Sequence, residues 1–203
     1  SMKNLYSPSM LKSYLSCKYT IFNEINEKKL KLQKIENSKN DQLRFEKGDE
    51  HEKKYFDELK KKFKNVIDIK SLDITKEEKI NHSIQAMVDG YDVIHGGYLS
   101  RGPWRGEFDF LIKTQSKKSK FGDYSYEVID TKHTNKPKPD HIIQLGMYTY
   151  MLESAQEVLP QKFTIIQSSS QHSTLSESGK TPVEAVLIGD LVEVRSGKVI
   201  PVD

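Results

Sequence analysis

The sequence holds a single cysteine, Cys17, in 203 residues. It therefore cannot form an intramolecular disulfide, nor a cluster held by four cysteines of this chain. A reducing, cytoplasmic compartment is the simplest expectation. Long apolar runs are missing as well. None approaches the ~18 residues that span a bilayer, and the N-terminus has no apolar signal segment, so no membrane is expected among the partners. Charge of one sign is scarce: the net value is +3 with a pI near 8.7. That is a small push toward a polyanionic partner. Tryptophan occurs once, as Trp104, but 10 Tyr and 8 Phe can build a core.

The length favours one domain with an appendage. Ser1-Met2 reads as a tag remnant ahead of a native Met2. The closing "VIPVD" has neither a helix stop nor a polar tail. The chain is thus expected to belong to a longer protein with further domains.

Periodicity supplies the elements. Pro8, flanked by Ser7 and Ser9, opens a helix over about 9–24, with Leu11, Tyr14, Leu15, Tyr19 and Phe22 at helical spacing. A polar connector follows. "QLRFEKGDEHEKKYFDELKKKF" is a second helix with Gly48 inside it. "NVIDIKSLD" is a short strand. A helix capped by Thr75 presents Ile80, Ile84, Met87 and Val88, and Gly90 ends it. "DVIHGGYLS" is one strand, "RGPW" a turn, and "RGEFDFLIKTQ" another strand, with Phe108, Phe110 and Ile112 on one face. The basic loop "SKKSKFGD" leads to the strand "YSYEVIDTKHT". Asp140 N-caps the helix "DHIIQLGMYTYMLESAQEVL", and "KFTIIQSS" is the next strand. Beyond a Ser-rich loop, the C-terminal stretch reads as a β pair turning at Ser196-Gly197. The order predicts an α/β or α+β domain with a mixed central sheet flanked by helices. Residues 1–170 form the core and 171–203 a loop with a small β extension.

The chemistry concentrates in three residues. A hairpin pairs the strand of Asp109 with the strand of Asp130, bringing the two acids near each other. Asp130 and Lys132, two apart on a strand, share a face. Neighbouring carboxylates repel, and a divalent cation relieves the conflict. Carboxylates with water suit Mg2+ or Mn2+. Such a site points to metal-assisted phosphodiester hydrolysis, with the lysine offsetting charge in the transition state.

"GDEHEKKYF", "GEFDFLI", "YEVIDTKHTNKPKP" and "HIIQLGMYTYML" together resemble the PD-(D/E)XK nuclease superfamily, RecB-like branch, over roughly the first four-fifths of the chain. The resemblance implies a restriction-endonuclease-like core and a metal-dependent deoxyribonuclease of DNA repair or recombination. Its substrate would be DNA ends or single strands. It also implies residue roles. His51, Asp109, Asp130 and the Thr131 carbonyl would hold Mg2+ or Mn2+, with an imidazole ligand tilting the choice toward Mn2+. Lys132 would be catalytic together with Asp109 and Asp130. Gln144 and Tyr148 match "QxxxY" and would position the DNA strand and the lysine. Glu52 and Glu127 are nearby carboxylates that would hold a metal-bound water. Some relatives carry a four-cysteine iron–sulfur cluster; with Cys17 alone, none can form here.

Two other readings compete. The domain could grip DNA as a catalytically silent module of a larger helicase or nuclease, or it could hydrolyse small phosphate esters. As plain structure, Asp130 and Lys132 would be a strand-end ion pair worth ~0–1 kcal/mol. Gln144 and Tyr148 would then be a helix face. His82, His95, His133, His141 and His172 show no ligand spacing and read as surface or structural. Tyr98 and Trp104 read as core rather than base-stacking platforms.

Overall fold

Apolar residues at helical and strand periods account for most of the architecture. The structure, a computed structural model, describes residues 7–8, 39–133, 139–168, 180–188 and 191–196. Its elements run α1 (Lys39–Lys62), β1 (Val66–Asp68), α2 (Lys76–Val88), β2 (Val93–His95), β3 (Tyr98–Arg101), β4 (Trp104–Glu107), β5 (Phe110–Thr114), β6 (Ser125–Lys132), α3 (Pro139–Gln156), β7 (Lys162–Ser168), β8 (Lys180–Ile188) and β9 (Leu191–Ser196). The fold is α/β: five strands, in the order β1-β2-β5-β6-β7, form a mixed sheet with three helices packed against it. β8 and β9 continue the same sheet past β7, and β3-β4 is a separate two-stranded ribbon. The pairs β1–β2 and β6–β7 are parallel and the others antiparallel.

Two cores sit on opposite faces of the sheet. Under α1, Phe56 and Leu59 meet Val93, Phe110 and Ile112. On the other face Met87 of α2 and Leu145, Tyr148 and Leu152 of α3 pack with Leu111, Val128, Phe163 and Ile165. Among the described residues no helix is long and apolar enough to cross a membrane.

Several details depart from the sequence expectation. "DVIHGGYLS" and "RGEFDFLIKTQ" are each broken in two, and the breaks face each other. Gly96 N–H donates to Asp109 O at 2.8 Å, and Phe108 N–H to Gly97 O at 3.1 Å. Gly96 sits at φ +65°, where glycine is favoured. A Cβ on Gly97 would collide with Ser83 Oγ and stand 2.6 Å from the Phe108 ring. The break shifts the alternation, so Phe108 joins Leu111 in one core while Phe110 and Ile112 lie in the other.

The expected face of α2 is also rotated. Thr75 forms the capping box with Glu78, as read from the sequence. The buried residues, however, are Ser83, Ala86 and Met87, while Ile84 and Val88 are exposed. Ser83 Oγ sets this rotation. It donates to Lys79 O at 2.7 Å and accepts from Tyr98 N–H at 3.0 Å, tying the helix to β3.

Helix α3 begins at Pro139 rather than after Asp140. Proline is favoured in the first helical position because its missing N–H would have no partner there. β8 and β9 pair from Ile188–Leu191 to Val183–Ser196, so Ser196 ends β9 rather than forming the turn expected from the sequence. The helix read over 9–24, His172 and all of the Ser-rich loop read from about Ser168 to Ser178 beyond its first residue lie outside the described residues.

Candidate active site

The β5–β6 register pairs Phe110 with Ile129 and Leu111 with Val128. Continued one step, it sets Asp109 opposite Asp130. Asp109 occupies the strand break, and its Oδ2 accepts both the Thr131 N–H, at 2.9 Å, and the Thr131 hydroxyl, at 3.0 Å. The two acids lie close enough that the Asp130 charge acts on Asp109. Burial, then the Asp130 charge, then Glu52 hold Asp109 well above the usual carboxylate range; the Thr131 N–H pulls the other way and loses.

Strand alternation places Lys132 on the face of Asp130. Its Nζ lies 3.0 Å from Asp130 Oδ2 and donates to Gln144 Oε1 at 3.2 Å. The first contact is an ion pair and not a directed hydrogen bond. Asp130 Oδ2 is consequently a buried acceptor without a hydrogen-bond partner among the described residues. Burial alone would lower the Lys132 titration. The Asp130 charge leads the effects that outweigh it, so the amine is held as an ammonium. One turn along α3 from Gln144, Tyr148 is buried; burial and the two aspartates raise its phenol. Its ring lies against Gly106, where a Cβ would stand 3.0 Å from Tyr148 Cε1.

A second charged group flanks this one. Glu52 Oε1 accepts from Lys70 Nζ at 2.9 Å and from His95 Nε2 at 2.8 Å. His95 Nδ1 is 2.8 Å from Asp68 Oδ1, and its ring stacks on Phe56 and Phe110 with centroids 4.2 and 4.9 Å away. Burial opposes ionisation of Glu52, but the hydrogen bonds from His95 and Lys70 win and lower its titration. Sequence reasoning missed His95, Lys70 and Asp68. The signal was the matching "VID" and "VIH", which pair in register so that Asp68 meets His95.

The remaining predicted residues divide. His51 on α1 is buried, and its Nε2 donates to Ile166 O at 3.1 Å. A nitrogen that donates to a carbonyl has no lone pair for a cation, so only Nδ1 could ligate in this arrangement. Thr131 serves Asp109 through its N–H and hydroxyl. Glu127 does not join the site. It pairs with Ile112, and its odd spacing from Asp130 puts it on the opposite face of β6, near Ser116. His95 and His141 are buried, whereas His82 and His133 are exposed. Trp104 packs partly buried against the larger core.

Among the described residues, no group of three or more His, Cys, Asp or Glu is arranged to hold a metal. The donors present still fit a hard cation of the magnesium kind, which binds through one or two carboxylates and keeps several waters. Asp109 and Asp130 supply those carboxylates. The orphaned Asp130 Oδ2 and the raised titration of Asp109 beside it mark where a positive charge is missing.

In comparison with known proteins, no protein-family model matches the chain, and no curated protein matches it.

Proposed function

We propose that the chain is a metal-dependent deoxyribonuclease of the RecB-like PD-(D/E)XK type, with a restriction-endonuclease-like core, acting on DNA ends or single strands. One observation carries the reading: Asp109 set opposite the buried Asp130, with Lys132 on the same face as Asp130 and held by Gln144.

Asp109 and Asp130 would hold Mg2+ or Mn2+, which when bound supplies Lewis acidity and a water of lowered pKa. Thr131 fixes the orientation of Asp109 through two hydrogen bonds. Lys132, held as an ammonium, is no general base. Its role is to offset the charge that develops on the phosphate oxygens. Gln144 aims the ammonium, and Tyr148 lies one turn along the same helix. The same charges could not be left unpaired at low cost: breaking a buried ion pair costs about 3–5 kcal/mol.

The test is a cleavage assay on single- and double-stranded oligonucleotides with Mg2+ or Mn2+. Lys132→Ala should lower kcat about 10²- to 10³-fold, and Asp130→Ala or EDTA should abolish cleavage. Cutting that survives either Asp130→Ala or EDTA rejects the proposal. DNA held equally well without metal and left uncut identifies a binding module. Turnover of nucleotides but not oligonucleotides identifies a small-ester hydrolase.

A further inference from the structure

Gln167, near the end of β7, has no role in the site as described so far. It is 4% exposed, and its Nε2 is buried without a hydrogen-bond partner among the described residues. Such a donor is costly to leave unmade, and an apolar residue would be the cheaper occupant of a merely structural position. Its surroundings suggest what the donor faces. In the parallel β6–β7 register Gln167 is the partner of Lys132, as Ile165 is of Asp130. Register partners on parallel strands share a face, so Gln167 stands beside Lys132 on the side that carries Asp130. The preceding residue, Ile166, receives His51 Nε2 on its carbonyl, which places this strand end at the rim of the site.

We propose that Gln167 is a substrate-positioning residue. Its amide donates to a non-bridging oxygen of a phosphodiester seated against Asp109, Asp130 and Lys132. The inference rests on the nuclease reading. Within it, the ammonium supplies charge, while the amide supplies a neutral, directed donor that selects which phosphate oxygen faces inward.

The experiment compares the full chain with Gln167→Leu and Gln167→Glu in Mg2+. Oligonucleotides with a single phosphorothioate of defined stereochemistry serve as substrates. Gln167→Leu should melt at or above the wild-type temperature, because an unmet donor is replaced by an apolar group of similar size. Its kcat/KM should fall about 10- to 100-fold, the effect of losing a hydrogen bond to a charged group. The wild-type preference between the two diastereomers should shrink. Gln167→Glu, of the same shape but repelling phosphate, should fall further. Should Gln167→Leu misfold, Gln167→Glu decides alone. Wild-type rates with an unchanged diastereomer preference in a folded variant overturn the inference and leave the nuclease reading standing. A wild-type chain that cuts no oligonucleotide overturns both.

Discussion

Gln156 clasps Tyr126 at both of its backbone polar groups. Gln156 Oε1 accepts the Tyr126 N–H at 2.8 Å, and Gln156 Nε2 donates to Tyr126 O at 3.1 Å. Strand β7 pairs with β6 only from Ile129 to Lys132. At Tyr126 the glutamine amide therefore stands in for the missing strand. The clasp pins the C-terminal end of α3 to the start of β6, while Gln144 meets Lys132 at the other end. Two glutamines on one helix thus hold β6 at both ends.

Gln156→Leu should consequently destabilise the domain more than an ordinary surface change. It leaves a buried N–H and C=O of Tyr126 unmet, at about 1–3 kcal/mol each when they stay dry. Urea denaturation should show a loss of about 2–4 kcal/mol with an unchanged m-value. A loss under 0.5 kcal/mol would mean that water replaces the amide.

The bent ribbon gives a second prediction. Gly97→Ala places a methyl group against Ser83 Oγ and the Phe108 ring, neither of which is the loose end of a long side chain. Overpacking of this kind costs about 1–3 kcal/mol. Because Phe108 immediately precedes Asp109, the change should also weaken metal-induced stabilisation. Thermal melts of Gly97→Ala with and without Mn2+ test both parts together.

How much of this was visible in the sequence depends on the distance over which each residue acts. The Thr75 capping box is local, and the apposition of Asp109 and Asp130 follows from one hairpin plus strand alternation, so both could be read directly. Alternation alone also excludes Glu127, which at an odd spacing from Asp130 lies on the other face of β6. The bend at Gly96-Gly97 could not be read, because it depends on Ser83 and Phe108 arriving from other elements. The burial of His95 depends on α1, β1 and β5 together. A histidine in a "VIHGG" run carries no mark of the two acids, Glu52 and Asp68, that meet its ring nitrogens. The role of Gln167 appears only once a parallel strand sets it beside Lys132.

The third prediction concerns Asp109 and pH. Its titration is raised in the folded state, so its contribution to stability is fully present below the unfolded carboxylate value, about 4. That contribution is lost as pH rises through the elevated folded value. Asp109→Asn keeps an acceptor for the Thr131 N–H and removes the charge. Without metal, the variant should therefore melt higher than the wild type near neutral pH and lose the advantage on acidification. Adding Mn2+ should reverse the ranking: at 100 times Kd a ligand stabilises the wild type by about 2.7 kcal/mol, and the variant should gain little. Melting curves from pH 4 to pH 8 would refute this if the wild type were the more stable throughout without metal.

Glu52 yields the last prediction, because it acts on the site through charge while being held from behind. Its titration is lowered by His95 and Lys70, so it stabilises the fold above the unfolded carboxylate value and ceases to do so as pH falls through its folded value. At the same time its charge raises Asp109 and Lys132. Glu52→Gln keeps the shape and removes that charge. Two effects of opposite sense should follow. The fold loses an ionic partner for His95 and Lys70 and becomes less stable near neutral pH. The Asp109 proton is released more easily, so a cation competes for the carboxylate pair at lower pH. Calorimetric titration of Mn2+ across pH should show the midpoint of binding displaced toward acid relative to the wild type, even though the variant melts earlier. A midpoint that stays put, or moves toward alkali, would show that Glu52 serves His95 alone and that its charge does not reach the aspartates.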